Sequence, residues 1–326
     1  MTLCALVVGS GWGAHAARAF ALDPRVRLAA LVGQGSDRTL LLGAELAVPI
    51  FADLQEAIRR VRPEIAAVAA GEAAHAGMVR ELLVSGCHVL CAHPVATEAK
   101  RVTSLAETAR RHGRIAVADY TLPLTPVYQA AHAALERSGA LLRATIQAPG
   151  RALVMAIEVA MGFAGPVARV LAASDYPPEL GDRRRRYPRS FPPSLLLAHG
   201  SGCVTSITPV PHAGPATAHR ITLSAERARI DLALPAGEVR VVLALGGGLS
   251  HAHVERPAAP SVPAAETFGA PMRAVARRFV DTVLGDAPPH APLEHEAEVR
   301  RVWATAQAAG RVETWVPVQG ESRTSK

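Results

Sequence analysis

"LCALVVGSGWGAHAARAF", residues 3–20, decides the fold. Six apolar residues without polar alternation predict a strand buried on both faces, the kind that belongs to a parallel sheet. Glycines at positions 9, 11 and 13 then turn the chain, and through "AHAARAF" the apolar spacing becomes helical. Strand, glycine turn and helix in that order open a doubly wound domain.

The alternation continues to residue 119. Further apolar runs fall at 26–33, 64–70, 87–92 and 114–119, with helical patterns between them. Gly86 and Gly113 stand where helix C-caps belong. After Tyr120 the texture changes: helices are expected over 124–138 and in "ALVMAIEVAMGFAG", and strand-like runs follow one another from Ser194 to Leu245 without helices between them. Such a succession predicts an antiparallel sheet. Helices near 271–284 and 294–309 end the pattern. The fold class is therefore α/β: a doubly wound parallel sheet over residues 1–119, then an α+β domain with a mainly antiparallel sheet over 120–326.

Composition narrows the functions. A chain of 326 residues with 49% apolar content is long enough for two cores. Four scattered cysteines without a C-x-x-C pair argue against a disulfide framework. The apolar start lacks a preceding basic segment and breaks at the glycines, so it reads as a strand and not a signal peptide. No run approaches the roughly 20 apolar residues of a membrane helix. A cytoplasmic protein without a membrane partner is expected. The formal charge is +7, with one dense basic run, "GDRRRRYPRS" (181–190), and the tail "QGESRTSK" is polar enough to be disordered. Basic runs are usually solvated loops, sometimes docking patches for acidic partners. Without a recognition helix or stacking platform this one does not indicate nucleic acid.

The glycine turn carries chemistry. Gly9, Ser10, Gly11, Trp12 and Gly13 lie between strand and helix, with Ala14 at the third position of the G-x-G-x-x-G/A pattern. Small residues let the backbone approach a pyrophosphate at the helix N-terminus, where unpaired N–H groups and the helix dipole favour an anion. In NAD-binding domains an acid at the end of the second strand takes the ribose hydroxyls. Here "ALVGQGSDRT" has Gly33 and Gln34 at that place, followed by Ser36 and Arg38. Arginine suits a 2′-phosphate, so NADPH is expected. Asp37 is the competing residue and favours NAD if it faces the ribose instead.

With these motifs the chain resembles the Gfo/Idh/MocA oxidoreductases. "VAAGEAAH" (68–75) stands where that family carries an Ala-Thr-Pro-x-x-x-His-like segment, which implies that Ala70, Gly71 and His75 border the cofactor. "GCHVLCAHPVA" (86–96) replaces Gly-Lys-His-Val-x-x-Glu-Lys-Pro, and "MAIEVAMGFAGPV" (155–167) replaces the His-x-x-Asp segment ending Gly-x-Pro-Val. The family's sugar dehydrogenases use that lysine and histidine to move a proton from an alcohol. Here the positions hold His93 and Met155, with Glu158 in place of the aspartate, and methionine moves no proton. The pattern resembles instead the thiazolinyl imine reductases of siderophore biosynthesis, which have His before Pro and a tyrosine after the next strand, here Tyr120. The resemblance implies NADPH, a thiazoline carried on a nonribosomal peptide synthetase carrier domain, and a homodimer formed through the open sheet face. Arg183 to Arg186 would then dock the acidic carrier domain.

Imine reduction needs a hydride to carbon and a proton to nitrogen. Histidine, with an unperturbed pKa near 6.5, is the natural donor. Tyrosine, near 10, donates to the basic nitrogen of an imine being reduced. His93 and Tyr120 are thus the catalytic candidates, with His93 also beside the cofactor, and sequence leaves open which gives the proton. A structural reading stands beside each: a helix-capping histidine and a rim tyrosine. Cys87, Cys91 and His93 share a strand face by period two, but same-face neighbours lie roughly 6.5–7 Å apart and zinc wants three or four ligands. Packing accounts for the cysteines better, and no metal site is expected. "HAHVE" (251–255) reads as a surface loop, Glu294 and Glu298 as acids placed against the dipole of the last helix, and Met155 and Met161 as core or pocket lining. An alcohol dehydrogenase with a relocated base and a non-catalytic NADP-binding regulator are the rival functions.

Overall fold

The computed structural model describes residues 2–173, 193–210, 219–234, 238–245, 248–255, 269–310 and 314–318. The arginine run at 183–186 and the terminal tail lie outside them. The chain divides into two compact units, Met1–Thr121 with Val262–Glu298, and Leu122–Ser261 with Val299–Lys326. The first crossing falls two residues after the boundary expected from sequence; the return near 262–298 has no counterpart in that reading.

The first unit holds β1 (Leu3–Val8), α1 (Gly13–Leu22), β2 (Val26–Val32), α2 (Asp37–Leu46), β3 (Ile50–Phe51), α3 (Leu54–Val61), β4 (Ile65–Val68), α4 (Glu72–Val84), β5 (His88–Cys91), α5 (Ala99–Arg111) and β6 (Ala116–Ala118). All pairings in its six-stranded sheet are parallel, in the order β3-β2-β1-β4-β5-β6. The reversal of strand order beside β1 is where open α/β sheets bind ligands. All six residues of β1 are buried, as its unbroken apolar run requires. Each large side chain there contributes about 1.5–3 kcal/mol of burial. β3 is too short to stand out in the sequence, which shows five runs. Gly86 and Gly113 end α4 and α5 at positive φ, 91° and 60°, where a β-carbon would be strained.

The second unit continues with α6 (Pro126–Glu136), β7 (Leu141–Pro149), α7 (Leu153–Ala164), β8 (Val167–Ala173), β9 (Ser194–His199), β10 (Val204–Val210), β11 (His219–Ala225), β12 (Ala228–Leu234), β13 (Val239–Leu245) and β14 (Gly248–Glu255). Its nine-stranded sheet runs β14-β13-β12-β11-β7-β10-β9-β8 and ends on β15 (Val316–Pro317). Among these pairings β7 with β10 is parallel and the rest are antiparallel. Period-two burial makes the core: Ile146 of β7 sits opposite Ile207 of β10 and Ile221 of β11, all buried. The "HAHVE" segment is not a loop. It forms most of β14, paired with β13 through Val241 opposite His253, because alternation within it suits an edge strand despite the Pro/Ala-rich chain that follows.

α8 (Gly269–Leu284) returns to the first unit and packs on α1, with Arg25 paired to Asp281 at 2.6 Å. α9 (Leu293–Ala309) begins in the first unit. There Ala118 N–H donates to Ala291 at 2.8 Å and Val117 bridges Pro292, so the start of α9 is tied to the edge of β6. No described helix is long and apolar enough to cross a membrane.

Candidate active site

The dinucleotide cradle is built from absent side chains. Gly9 has φ +92°, and a β-carbon there would lie 2.3 Å from the Ala69 carbonyl oxygen at the end of β4. At Gly13 a β-carbon would meet the Val8 carbonyl at 3.1 Å. Gly11 is exposed, with the Arg38 guanidinium 3.7 Å from where its β-carbon would stand. Backbone amides at the N-terminus of α1 are therefore approachable, and no acid sits in its first turn to oppose an anion. These residues fit a dinucleotide.

Around the end of β2 the sequence reading missed one residue. Thr39 is 2% exposed, and its hydroxyl bonds to both Ser10 (2.8 Å) and Ser36 (3.0 Å), joining the glycine turn to the start of α2. Ser36 also caps that helix, accepting from the Thr39 N–H. A β-carbon on Gly33 would stand 2.9 Å from the Thr39 methyl. A side chain at Gly33 would thus crowd Thr39, and neither Gly33 nor Gln34 supplies the acid usual at the end of β2. Arg38 turns back to the glycine turn, while Asp37 opens α2 as an acid in its first turn.

His93 and Tyr120 follow β5 and β6 at the C-terminal edge of the sheet. Their rings lie 4.7 Å apart. Two acids that the sequence reading did not single out hold them. Asp119 accepts the His93 backbone N–H at 2.6 Å with one oxygen and the Trp12 indole N–H with the other, so the glycine turn and the histidine segment share one carboxylate. Burial raises its pKa to about 6, against the lowering effect of those two donors. Glu296, on the first turns of α9 and wholly buried, takes the Tyr120 hydroxyl and the His93 Nδ1 (3.2 Å) on the same oxygen. Sequence carried a signal for it: Glu296 falls with Leu293, Ala297 and Arg300 on the buried stripe of an amphipathic helix, where an acid needs a partner. Glu294, a neighbour already noted in the sequence, is exposed and pairs with Arg110.

His75, on α4, is 3% exposed, and its Nε2 is buried without a hydrogen-bond partner among the described residues. Burial lowers its pKa to about 4, opposed by the charge of Glu296. The unfolded chain therefore binds a proton at pH 5 that the folded chain refuses, and stability is lost as pH falls from about 6.5 towards 4. Between pH 7 and pH 5 His75→Gln is expected to lose about 2 kcal/mol less stability than the parent, read by urea unfolding at both values. Equal slopes would show that His75 takes up its proton without cost.

Cys87 and Cys91 are fully buried, with thiols pushed up by burial. Only Cys91 lies within β5, so the shared strand face does not extend to Cys87 and His93. No described group of three or more His, Cys, Asp or Glu could hold a metal ion. In the second unit Glu158 is buried, and burial, with a smaller effect of the Glu158 charge, raises the pKa of the Tyr128 phenol. Met161 belongs to that unit's core and Met155 packs against it.

Residues 3–120 match the profile of the Gfo/Idh/MocA oxidoreductases, described as an oxidoreductase family with an NAD-binding Rossmann fold. No curated protein matches the chain in sequence. Solved structures share its whole fold. An oxidoreductase from Agrobacterium radiobacter in complex with NAD+, L-tartaric acid and magnesium is 13% identical, covers 98% of this chain and 99% of its own, and has a TM-score of 0.80. Levoglucosan dehydrogenase with NADH and levoglucosan is 14% identical, with coverage of 98% and 100% and a TM-score of 0.82. An NAD-binding oxidoreductase from Klebsiella pneumoniae is 18% identical over 98% and 100%, with a TM-score of 0.80. Residues 3–120 are thus similar in sequence to the NAD-binding Rossmann domain of that oxidoreductase family, and the whole chain shares the fold of these structures.

Proposed function

We propose that this protein is an NADPH-dependent reductase of a cyclic imine, converting a thiazoline on a synthetase carrier domain into a thiazolidine. The observation that carries the reading is the pairing of His93 and Tyr120 on one buried carboxylate, at the position where alcohol-oxidising relatives carry lysine. When bound, NADPH supplies a hydride to the imine carbon. The chain's own part is to hold the cofactor and to deliver one proton to the imine nitrogen, so that C=N becomes CH–NH. Gly9, Ser10, Gly11 and Gly13 would hold the pyrophosphate, with Trp12 keeping the turn in place through Asp119. Ser36 and Arg38 would take the 2′-phosphate. Ala70 and Gly71 follow β4 and His75 lies on α4, and on the resemblance they would border the cofactor.

The carrier-domain partner and docking by Arg183 to Arg186 belong to the same proposal, on the resemblance alone. So does a homodimer through the open sheet face, where Leu142, Leu196 and Val204 stand exposed on β7, β9 and β10. A second reading, NADP-dependent oxidation of a sugar or polyol, draws support from levoglucosan dehydrogenase among the fold neighbours. Turnover assays separate the two. Carrier-bound thiazoline should be reduced with NADPH preferred over NADH, and Arg38→Ala should weaken NADPH binding about tenfold or more while sparing NADH. Robust polyol oxidation with NADP+ would overturn the imine reading, and cofactor binding without any turnover would point to a regulator.

A further inference from the structure

We propose that Glu296 is a positioning residue: it holds the proton of His93 on Nδ1, leaves Nε2 as the atom that gives up the catalytic proton, and commits the Tyr120 hydroxyl to itself. This rests on the reading of the site as a proton donor to an imine. Two side-chain atoms converge on Glu296 Oε2, the Tyr120 hydroxyl and the His93 Nδ1 at 3.2 Å. A carboxylate oxygen only accepts, so the ring nitrogen that faces it bears hydrogen. In the imidazolium the proton on Nδ1 is held by the buried acid, and the one on Nε2 is transferable. A tyrosine whose hydroxyl hydrogen is directed at Glu296 does not direct it at substrate. Burial agrees with this division of labour: Tyr120 is 1% exposed, whereas the His93 side chain is 15% exposed. The 4.7 Å ring contact then makes Tyr120 a wall that keeps the imidazole from rotating.

The surroundings of Glu296 bear on its charge. Asp119 and Cys91 sense it across the sheet edge, and His75 senses it from α4. His295, its neighbour in sequence, stacks edge-on against the Tyr120 ring at 6.0 Å. His75 is held neutral by burial, and Arg300 lies on the same buried stripe of α9 one turn on.

Nitrogen-15 NMR of histidine-labelled protein without cofactor tests this directly. Neutral His93 is expected as the Nδ1–H tautomer, and Glu296→Gln should lose that preference. In turnover, Glu296→Gln should lower kcat with little change in KM, and Tyr120→Phe should retain activity within about tenfold while His93→Gln does not. Neutral His93 found as the Nε2–H tautomer in the parent protein would overturn the inference without any variant. So would an unchanged tautomer preference in folded Glu296→Gln, or a loss in Tyr120→Phe as large as in His93→Gln. If the NMR result holds but no imine is reduced, the positioning role stands and the substrate reading falls.

Discussion

His93→Ala is expected to lower kcat for the cyclic imine by on the order of a thousandfold while leaving NADPH affinity nearly unchanged, since a positioned general acid contributes about 10²–10⁴-fold. The expectation of intact binding comes from where the cofactor is proposed to sit. Gly9, Gly11, Gly13 and Arg38 belong to the ends of β1, α1 and α2, whereas His93 is tied to that turn only through its backbone N–H on Asp119. Alanine keeps that N–H, so the Trp12–Asp119 link survives the change. Stopped-flow reduction and fluorescence titration of NADPH measure the two quantities separately. Equal losses in both would assign His93 to cofactor binding alone, and loss in neither would return it to a structural role.

The second large effect concerns Gly9. Gly9→Ala should destabilise the protein by about 3 kcal/mol and weaken NADPH binding by on the order of a hundredfold. Its positive φ strains any side chain, and the obstructing atom is a main-chain carbonyl 2.3 Å from the new β-carbon. A flexible side chain could move aside; the end of β4 is held in the sheet by Ala69 N–H on the Val8 carbonyl at 2.9 Å. Relief must come from shifting the turn, and the turn is the proposed pyrophosphate cradle. Gly77→Ala is the matching control. It lies exposed on α4 with nothing within 4 Å of its β-carbon, so it should stabilise by up to about 1 kcal/mol. Chemical unfolding of both variants, with and without NADPH, checks the contrast. A Gly9→Ala protein as stable as the parent would show that the turn yields freely.

What was legible in the sequence was what periodicity and backbone freedom encode. The run of residues 3–8 predicts a doubly covered strand, and Leu3–Val8 is wholly buried. The apolar segments before residue 119 predict the parallel sheet, and strand-rich sequence after Ser194 predicts the mainly antiparallel one. Gly9 and the two C-cap glycines were readable because each occupies a conformation that other residues resist. The reading of "HAHVE" as a loop failed since its local composition outweighed a short alternation, and only pairing with β13 made it a strand. His93 and Tyr120 were visible as residue types at strand ends.

Their partners were not. Glu296 follows His93 by about two hundred positions, and no spacing rule links them. The link exists because α9 starts from a segment bridged to β6, which places the helix's buried stripe against the ends of β5 and β6. Asp119 looked like the last residue of a strand until two donors, from α1's turn and from the chain after β5, met on its carboxylate. Thr39 looked like an ordinary first-turn residue of α2 until its hydroxyl joined Ser10 and Ser36. Sequence by itself determined most of the elements, the conformation of the glycine turn and the residue types at the strand ends, because those depend on local conformation and residue chemistry. Tertiary structure alone decided which buried acids face them, because a carboxylate out of water is tolerable only where distant parts of the chain bring it donors.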